Sequence, residues 1–174
     1  MAIDSQAEGW NTVAGGLTEE VVRKFGTVRL RVTGTSMVPG VHPGDLITVK
    51  HSTLSEIFPG QIVLFTLKRG FAVHRVVAKT HALQETFLST RGDRLQDNDP
   101  PVTASALLGR VECIERSGRR FQPADRLSIL ERMMAPLLRT SDSATYLYLS
   151  FARGCGKLLL RARGSRRENY YATR

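Results

Sequence analysis

The 174-residue chain has few of the features that identify several protein classes. Its two cysteines, Cys113 and Cys155, show no CxxC or Cys/His spacing, so we expect unpaired or buried thiols rather than a disulfide framework or a zinc site. No apolar run approaches the ~20 residues that a membrane-spanning helix needs. The start of the chain has no basic segment followed by an apolar one, which excludes the pattern of a secretory signal. We therefore expect a cytoplasmic protein, with peripheral membrane contact as the exception.

The net positive charge of the chain comes entirely from its last third. The formal net charge is +9, yet residues 1–115 hold 12 Lys/Arg and 12 Asp/Glu, whereas residues 116–174 hold 13 and four. A basic segment favours an anionic partner such as lipid headgroups or nucleic acid, unless it is a solvated end. Composition also changes near residue 120. We expect a flexible N-terminus over 1–16, a β domain over 17–120 and a helical, basic extension over 121–174.

Short strands dominate the predicted β domain. The segments with strand-like alternation or composition are 27–32, 45–51, 61–68, 71–79, 85–92 and 107–116. Their near-regular spacing predicts a mainly β (α+β) fold with a coiled antiparallel, barrel-like core rather than βαβ units. Thr18 is expected to cap a short helix before the first strand. Apolar residues at helical spacing predict an amphipathic helix over 123–140.

One serine in a turn-rich stretch suggests nucleophilic chemistry. Ser36 lies within TGTSMVPGVHPGD, residues 33–45. A serine hydroxyl needs a base within hydrogen-bond reach, and an acid that orients this base improves it. His74 shares one face of the fourth predicted strand with Ala72 and Val76, so it is a base candidate held on a rigid element. Lys68 is a rival base, and we prefer His74.

The orienting acid is expected in the loop after the fifth strand, where Asp93, Asp97 and Asp99 follow one another. Taken singly, a turn serine or a strand histidine is more often structural than catalytic. The order of the residues along the chain is what favours a Ser/His/Asp site.

The ordered motifs resemble the signal peptidase I clan, which also includes LexA-like self-cleaving repressors. The chain has GTSMVP at 34–39, matching the clan's G-x-S-M-x-P, then Gly-Asp at 44–45, GQIV at 60–63 and VHRVV at 73–77. The later TRGDRLQDNDPP is similar to the T-K-G-D…D-P box of the histidine type, found in the endoplasmic reticulum and in archaea. The resemblance covers roughly residues 28–112.

The resemblance implies a serine endopeptidase that needs no metal or cofactor. Ser36 would be the nucleophile, His74 the general base and Asp99 the acid that orients it. Asp93 would be a supporting residue of the catalytic box, and Asp97 has no counterpart. The implied substrate is a protein precursor with small side chains before the cut, bound as an added strand.

The loop around the nucleophile departs from the clan in one place. Residues assigned to the oxyanion hole and to substrate contact are Gly34, Thr35, Met37 and Pro39. Signal peptidases usually carry a serine two places before the nucleophile, where this chain has Gly34. We therefore expect the hole to use the Ser36 N–H and one further donor, Thr33 or Thr35.

Two other functions stay open. A LexA-like self-processing protein would cut inside this chain, for example at Ala14-Gly15. A non-catalytic β module would bind a membrane or nucleic acid through its basic tail. That tail, with YLYLSFARGCGKLLLRAR at 146–163, is either a solvated end or a membrane-surface segment. Nucleic-acid binding is less favoured because no helix-turn-helix pattern is visible at the N-terminus.

Overall fold

The computed structural model describes residues 18–68, 70–82 and 85–152. The strands are β1 Thr27–Arg31, β2 Leu46–His51, β3 Ile62–Thr66, β4 Phe71–His81, β5 Thr86–Arg91, β6 Leu107–Arg116 and β7 Arg119–Phe121. The helices are α1 at 18–25, α2 Ile129–Thr140 and α3 at 142–152, with a 3-10 turn at Leu54–Glu56. Every strand expected from the sequence is present, and β7 is an additional one.

The strands form one antiparallel sheet in the order β1-β2-β6-β3-β4-β5, with β7 paired to β6. The expected mainly β fold with helices is confirmed. Among the described strands, β1 and β5 do not pair with each other, so the coiled sheet does not close into a barrel. The outward residues of β1, Arg29 and Arg31, are exposed, which is how an unpaired edge strand avoids further pairing.

Strand β3 lies at the centre because both of its faces are covered. Its residues Ile62 to Phe65 are all buried. Ile62 and Leu64 belong to an apolar cluster shared with β2 and β6, while Val63 and Phe65 belong to a second cluster shared with β4 and β5. Alternate residues of a strand point to opposite faces, so a continuous apolar run is what a doubly covered strand requires.

Helix α2 begins later than the sequence analysis expected. The predicted helix over 123–140 is wrong at its start, because Ser128 caps α2. The Ser128 hydroxyl accepts a hydrogen bond from the Glu131 N–H at 3.3 Å, and the Glu131 carboxylate accepts one from the Ser128 N–H at 2.8 Å. This reciprocal pair is a capping box, and it satisfies N–H groups that a helix start leaves without partners.

The two C-terminal helices pack on the loop that contains Ser36. Val38 of that loop, Leu138 of α2 and Leu149 of α3 form a third buried apolar cluster, in which each side chain is at most 2% exposed. The helical extension therefore touches the candidate site directly.

Some expectations concern segments outside the described residues. The flexible N-terminus over 1–16, Cys155 and the arginine-rich end of the tail are among them. Cys113 is described and is a free thiol, as expected. None of the described helices combines the length and the apolar composition that crossing a bilayer requires.

Candidate active site

Three side chains selected from the sequence form one hydrogen-bonded row. His74 Nε2 lies 3.0 Å from Ser36 Oγ, and His74 Nδ1 lies 2.7 Å from Asp99 Oδ2. An ionised carboxylate can only accept a hydrogen bond. Nδ1 therefore carries the ring proton and donates a hydrogen bond to Asp99. Nε2 is then left to accept the Ser36 hydroxyl proton. This is the nucleophile, base and orienting acid arrangement of a serine hydrolase.

Strand β4 holds His74 in place. The residue faces Val63 of β3 in the strand register, and it is only 7% exposed. The ring of Phe65 packs edge-on against the imidazole, with the two ring centroids 6.0 Å apart. Ala72 and Val76 are buried on the same face, as strand alternation predicts. A ring wedged in this way keeps one orientation and presents Nε2 to the serine.

Thr90 fixes the position of Asp99 through two hydrogen bonds, and it was not among the residues selected from the sequence. Its hydroxyl donates to Asp99 Oδ2 at 2.7 Å, while its carbonyl accepts the Asp99 N–H at 2.8 Å. Thr90 is fully buried on β5, opposite Val76 of β4. The available signal was its place on the inward face of β5, two residues after Leu88.

Asp93 lies beside the row of three rather than in it. It accepts two parallel hydrogen bonds from the Arg75 guanidinium, both at 2.8 Å. The side chain of Arg75 is 13% exposed and that of Asp93 is 5% exposed. Within the described residues Asp93 makes no hydrogen bond to His74 or Ser36. Asp93 therefore pairs with Arg75 instead of contacting the catalytic side chains, and its supporting role stays a prediction. A Cβ on Gly40 would fall 2.6 Å from Asp93 Oδ2, so this ion pair presses against the Ser36 loop.

The Ser36 loop is anchored by buried apolar side chains that directly follow the serine. Met37 is 2% exposed and belongs to the β2–β6 cluster, whereas Val38 is 0% exposed and packs on the helices. Pro39 is buried as well. The side chains of Met37 and Pro39 therefore cannot line an open substrate surface, which corrects the assignment made from the sequence. Their burial fixes the position of the loop, and Ser36 itself is half-buried.

Arg94 ties this loop to the helical extension. Its N–H donates to the Ser36 carbonyl at 2.9 Å, and its guanidinium donates to Thr35 Oγ1 at 2.9 Å and to the Leu138 carbonyl at 2.7 Å. The same guanidinium also pairs with the Asp142 carboxylate. Arg94 was not among the residues selected from the sequence, although its place directly after the Gly-Asp of the catalytic box was a signal.

A second ion pair, between a buried Asp45 and an Arg116 side chain that is 31% exposed, supports the far side of the loop. Asp45 is 2% exposed and accepts a forked pair from Arg116, with a shortest distance of 2.7 Å. Arg116 also donates to the Gly40 carbonyl at 3.1 Å, and Asp45 accepts the His42 N–H at 2.8 Å. The Gly-Asp turn that the sequence analysis noted before β2 is therefore an anchor as well as a turn.

Donors for an oxyanion are present next to Ser36. Within the described residues, the N–H groups of Thr35 and Ser36 donate to no protein group. Thr35 Oγ1 accepts from Arg94 and keeps its own hydrogen for donation. Gly34 is exposed, and a Cβ built there would meet nothing within 4 Å. Steric crowding therefore does not require a glycine at position 34.

The two other candidates from the sequence lie away from this row. Lys68, the rival base, and Asp97, the acid without a counterpart, are both exposed. In the described part of the chain neither makes a hydrogen bond to Ser36 or His74. His74 therefore occupies the position that a base requires.

His42 is a buried histidine of the same loop. Burial, followed by the charge of Arg116, lowers its pKa from 6.5 to about 4. The neutral ring donates through Nε2 to the Pro39 carbonyl at 3.0 Å and packs edge-on against Tyr148 of α3. This histidine links the loop to the helices and does not contact Ser36.

One comparison with known proteins bears on this geometry. A family model described as Peptidase S24-like matches residues 11–84, which is less than half of the chain. The matched span contains Ser36 and His74 but ends before Asp93 and Asp99. Comparison with curated proteins gave no match. The similarity supports the LexA/S24 serine peptidase clan and thus a serine peptidase domain.

We expect the buried His42 to make the protein less stable in mild acid. The folded state keeps this ring neutral down to pH about 4, while the unfolded chain takes up a proton below about 6.5. The unfolded state therefore binds more protons in that window, and the free energy of unfolding falls as pH drops, by about 3 kcal/mol in all. Urea unfolding of the wild type and of His42→Gln between pH 7 and 4 measures this difference. The exposed His81→Gln is the control, and an identical pH slope in all three proteins would contradict the prediction.

Proposed function

We propose that this protein is a serine endopeptidase of the signal peptidase I type that cleaves a protein precursor after small residues. The observation that carries the proposal is the row Ser36 Oγ, His74 Nε2, His74 Nδ1, Asp99 Oδ2, with distances of 3.0 and 2.7 Å. The histidine-type motifs around these residues support the finer assignment.

The mechanism begins with proton transfer inside this row. His74 Nε2 takes the Ser36 hydroxyl proton as Oγ attacks the scissile carbonyl, and Asp99 stabilises the imidazolium that forms. The N–H groups of Ser36 and Thr35, with the Thr35 hydroxyl, are the donors available to the developing oxyanion. His74 then delivers the proton to the leaving amine. Water repeats the sequence on the acyl-enzyme, with His74 again as the base.

The Thr90 hydroxyl and the Asp99 carboxylate act on the tautomer of His74. Because Thr90 donates to Asp99, that carboxylate is held as an acceptor facing Nδ1. This keeps the ring proton on Nδ1 and the lone pair on Nε2, which is the form that a general base must have.

A second candidate function is self-cleavage. The match to the Peptidase S24-like model favours it, because the clan includes LexA-like proteins that cut themselves. The cut expected from the sequence, Ala14-Gly15, lies outside the described residues. Cleavage of another protein and cleavage of the same chain would use the same Ser36, His74 and Asp99.

Removal of the nucleophile tests the assignment of Ser36. A fluorophosphonate probe is expected to label the wild type at a single serine, and Ser36→Ala should lower the labelling by about 10⁴-fold or more. His74→Ala should lower the rate of labelling as well, because no base would then take the Ser36 hydroxyl proton. Ser55→Ala, an exposed serine of the 3-10 turn, is the matched control. Undiminished labelling of Ser36→Ala would refute the proposal.

Gly34→Ser tests whether the oxyanion hole lacks a donor. The position is open and would accept the side chain, and a hydroxyl there would supply the donor that signal peptidases usually carry two residues before the nucleophile. One such donor is worth about 10²–10³ in kcat, so the rate of acylation by the probe should rise by up to about 100-fold.

Gly34→Ala is the control for the change of backbone, because it adds a Cβ without a donor. Equal rates in the wild type and both variants would show that the donors near Thr35 and Ser36 already suffice.

Self-cleavage can be separated from cleavage of another protein by intact mass. Purified chain incubated for a long period should keep a single mass if its substrate is another protein. A Ser36-dependent fragment that forms at a rate independent of protein concentration would instead establish the intramolecular reaction. The Ser36→Ala protein, incubated in parallel, controls for contaminating proteases.

A further inference from the structure

The two C-terminal helices expose an unusual amount of apolar surface. Of the 13 large apolar side chains that are exposed among the described residues, seven lie between 129 and 151. They are Ile129 (72%), Leu130 (68%), Met133 (75%) and Leu137 (57%) on α2, and Tyr146 (64%), Leu147 (74%) and Phe151 (72%) on α3. Exposed patches of this kind on a soluble domain mark interaction sites.

The exposed residues form a face on each helix, separate from the packed one. Leu130, Met133 and Leu137 have helical spacing and share one side of α2, while Leu138 of the same helix is buried on the core. On α3, Leu147 and Phe151 are four residues apart, whereas Leu149 is buried. The helices are therefore apolar both towards the protein and towards solvent. We call the seven exposed residues the outer apolar face.

The charge of the described residues around this face is balanced, and the sequence that follows it is strongly basic. Arg126 and Arg132 are exposed beside or on α2, and so are Asp125 and Asp142. The 22 residues after Ala152 contain seven Lys/Arg and a single acidic residue, Glu168. An anionic surface complements this charge, and the whole basic excess of the chain lies in the same third of the sequence as the outer apolar face.

We infer that the outer apolar face docks on the surface of an anionic lipid membrane, whose charge complements the basic sequence that follows α3. Helices with apolar and aromatic residues on one side and Lys/Arg nearby bind in this way, lying in the interface without spanning it. Each Lys or Arg close to such a surface raises the affinity for the membrane about fivefold. Apolar insertion and a polybasic segment are the two signals that stable peripheral binding takes.

The outer apolar face connects to the candidate active site through residues already described. Leu138 and Leu149 pack on Val38, and Arg94 bridges the Leu138 carbonyl and Thr35. Docking would therefore place the Ser36 loop close to the membrane surface. The inference goes beyond the proposed function, because lipid binding requires no catalysis.

Co-flotation of the full chain with lipid vesicles tests the inference. The probes are vesicles of phosphatidylcholine alone and of phosphatidylcholine mixed with phosphatidylglycerol, and the protein carries Ser36→Ala so that no cleavage intervenes. We expect binding to the mixed vesicles, weaker binding as salt is raised, and little binding to the neutral ones.

Two phenylalanines provide a matched pair of variants. Phe151 on α3 and Phe25 on α1 are 72% and 70% exposed, so replacing either by glutamate should leave folding intact. Phe151→Glu should weaken binding to the mixed vesicles by about tenfold or more, since it replaces an inserted ring by a charge that the surface repels. Met133→Glu should behave like Phe151→Glu. Phe25→Glu should retain binding within about twofold.

Three results would overturn the inference. One is the absence of binding to the mixed vesicles, which is also what a tail folded over the face would give. Another is equal binding by Phe151→Glu and Phe25→Glu. The third is a dimer, measured by sedimentation equilibrium, that Phe151→Glu dissociates, because the face would then be an interface between two copies. Each result leaves the Ser36 labelling experiment unaffected, so the two proposals fail separately.

Discussion

The burial of Met37 and Val38 on opposite sides of the Ser36 loop is the constraint on which the rest of the site depends. One side chain enters the core of the sheet and its neighbour enters the cluster made by the helices. A short loop whose adjacent residues are anchored in different cores cannot rotate without exposing one of them. Fully burying such a side chain is worth about 1.5–3 kcal/mol, so the position of Ser36 is held by ordinary apolar packing.

Buried charge reinforces this anchoring. The pairs Asp93–Arg75 and Asp45–Arg116 flank the loop, and Arg94 connects it to α2 and α3. Such pairs contribute little net stability compared with apolar residues, but removing one partner leaves an uncompensated charge and is strongly destabilising. Their effect here is geometric. They hold the Ser36 loop, the loop after β5 and the end of β6 in one arrangement, and this arrangement sets the distance between serine and histidine.

Local alternation in the sequence predicted the strands, and the order of the motifs along the chain predicted the three residues of the row. Alternation placed His74 on the inward face of β4, and the order of motifs selected Ser36 and Asp99. Neither pattern distinguished Thr90 or Arg94, because an inward threonine and a loop arginine look the same in sequence with or without a partner. The helix expected over 123–140 starts too early, because the capping box between Ser128 and Glu131 sets its true boundary. Whether the sheet closes into a barrel depends on pairing between strands that are distant in the chain, and no local pattern contains that information.

Local chemistry in the sequence by itself determined the strand alternation, the amphipathic C-terminal segment, the uneven charge and the choice of nucleophile and base. Only the tertiary structure gives the physical reason why Asp99 rather than Asp93 serves His74. The two aspartates are six residues apart in one loop, and the sequence favoured Asp99 only through its motif resemblance. The fold gives Asp93 to Arg75 and Asp99 to His74, because His74 and Arg75 point to opposite faces of β4 and each face meets a different part of the loop. The same is true of Met37 and Pro39, whose burial follows from packing between elements far apart in the chain.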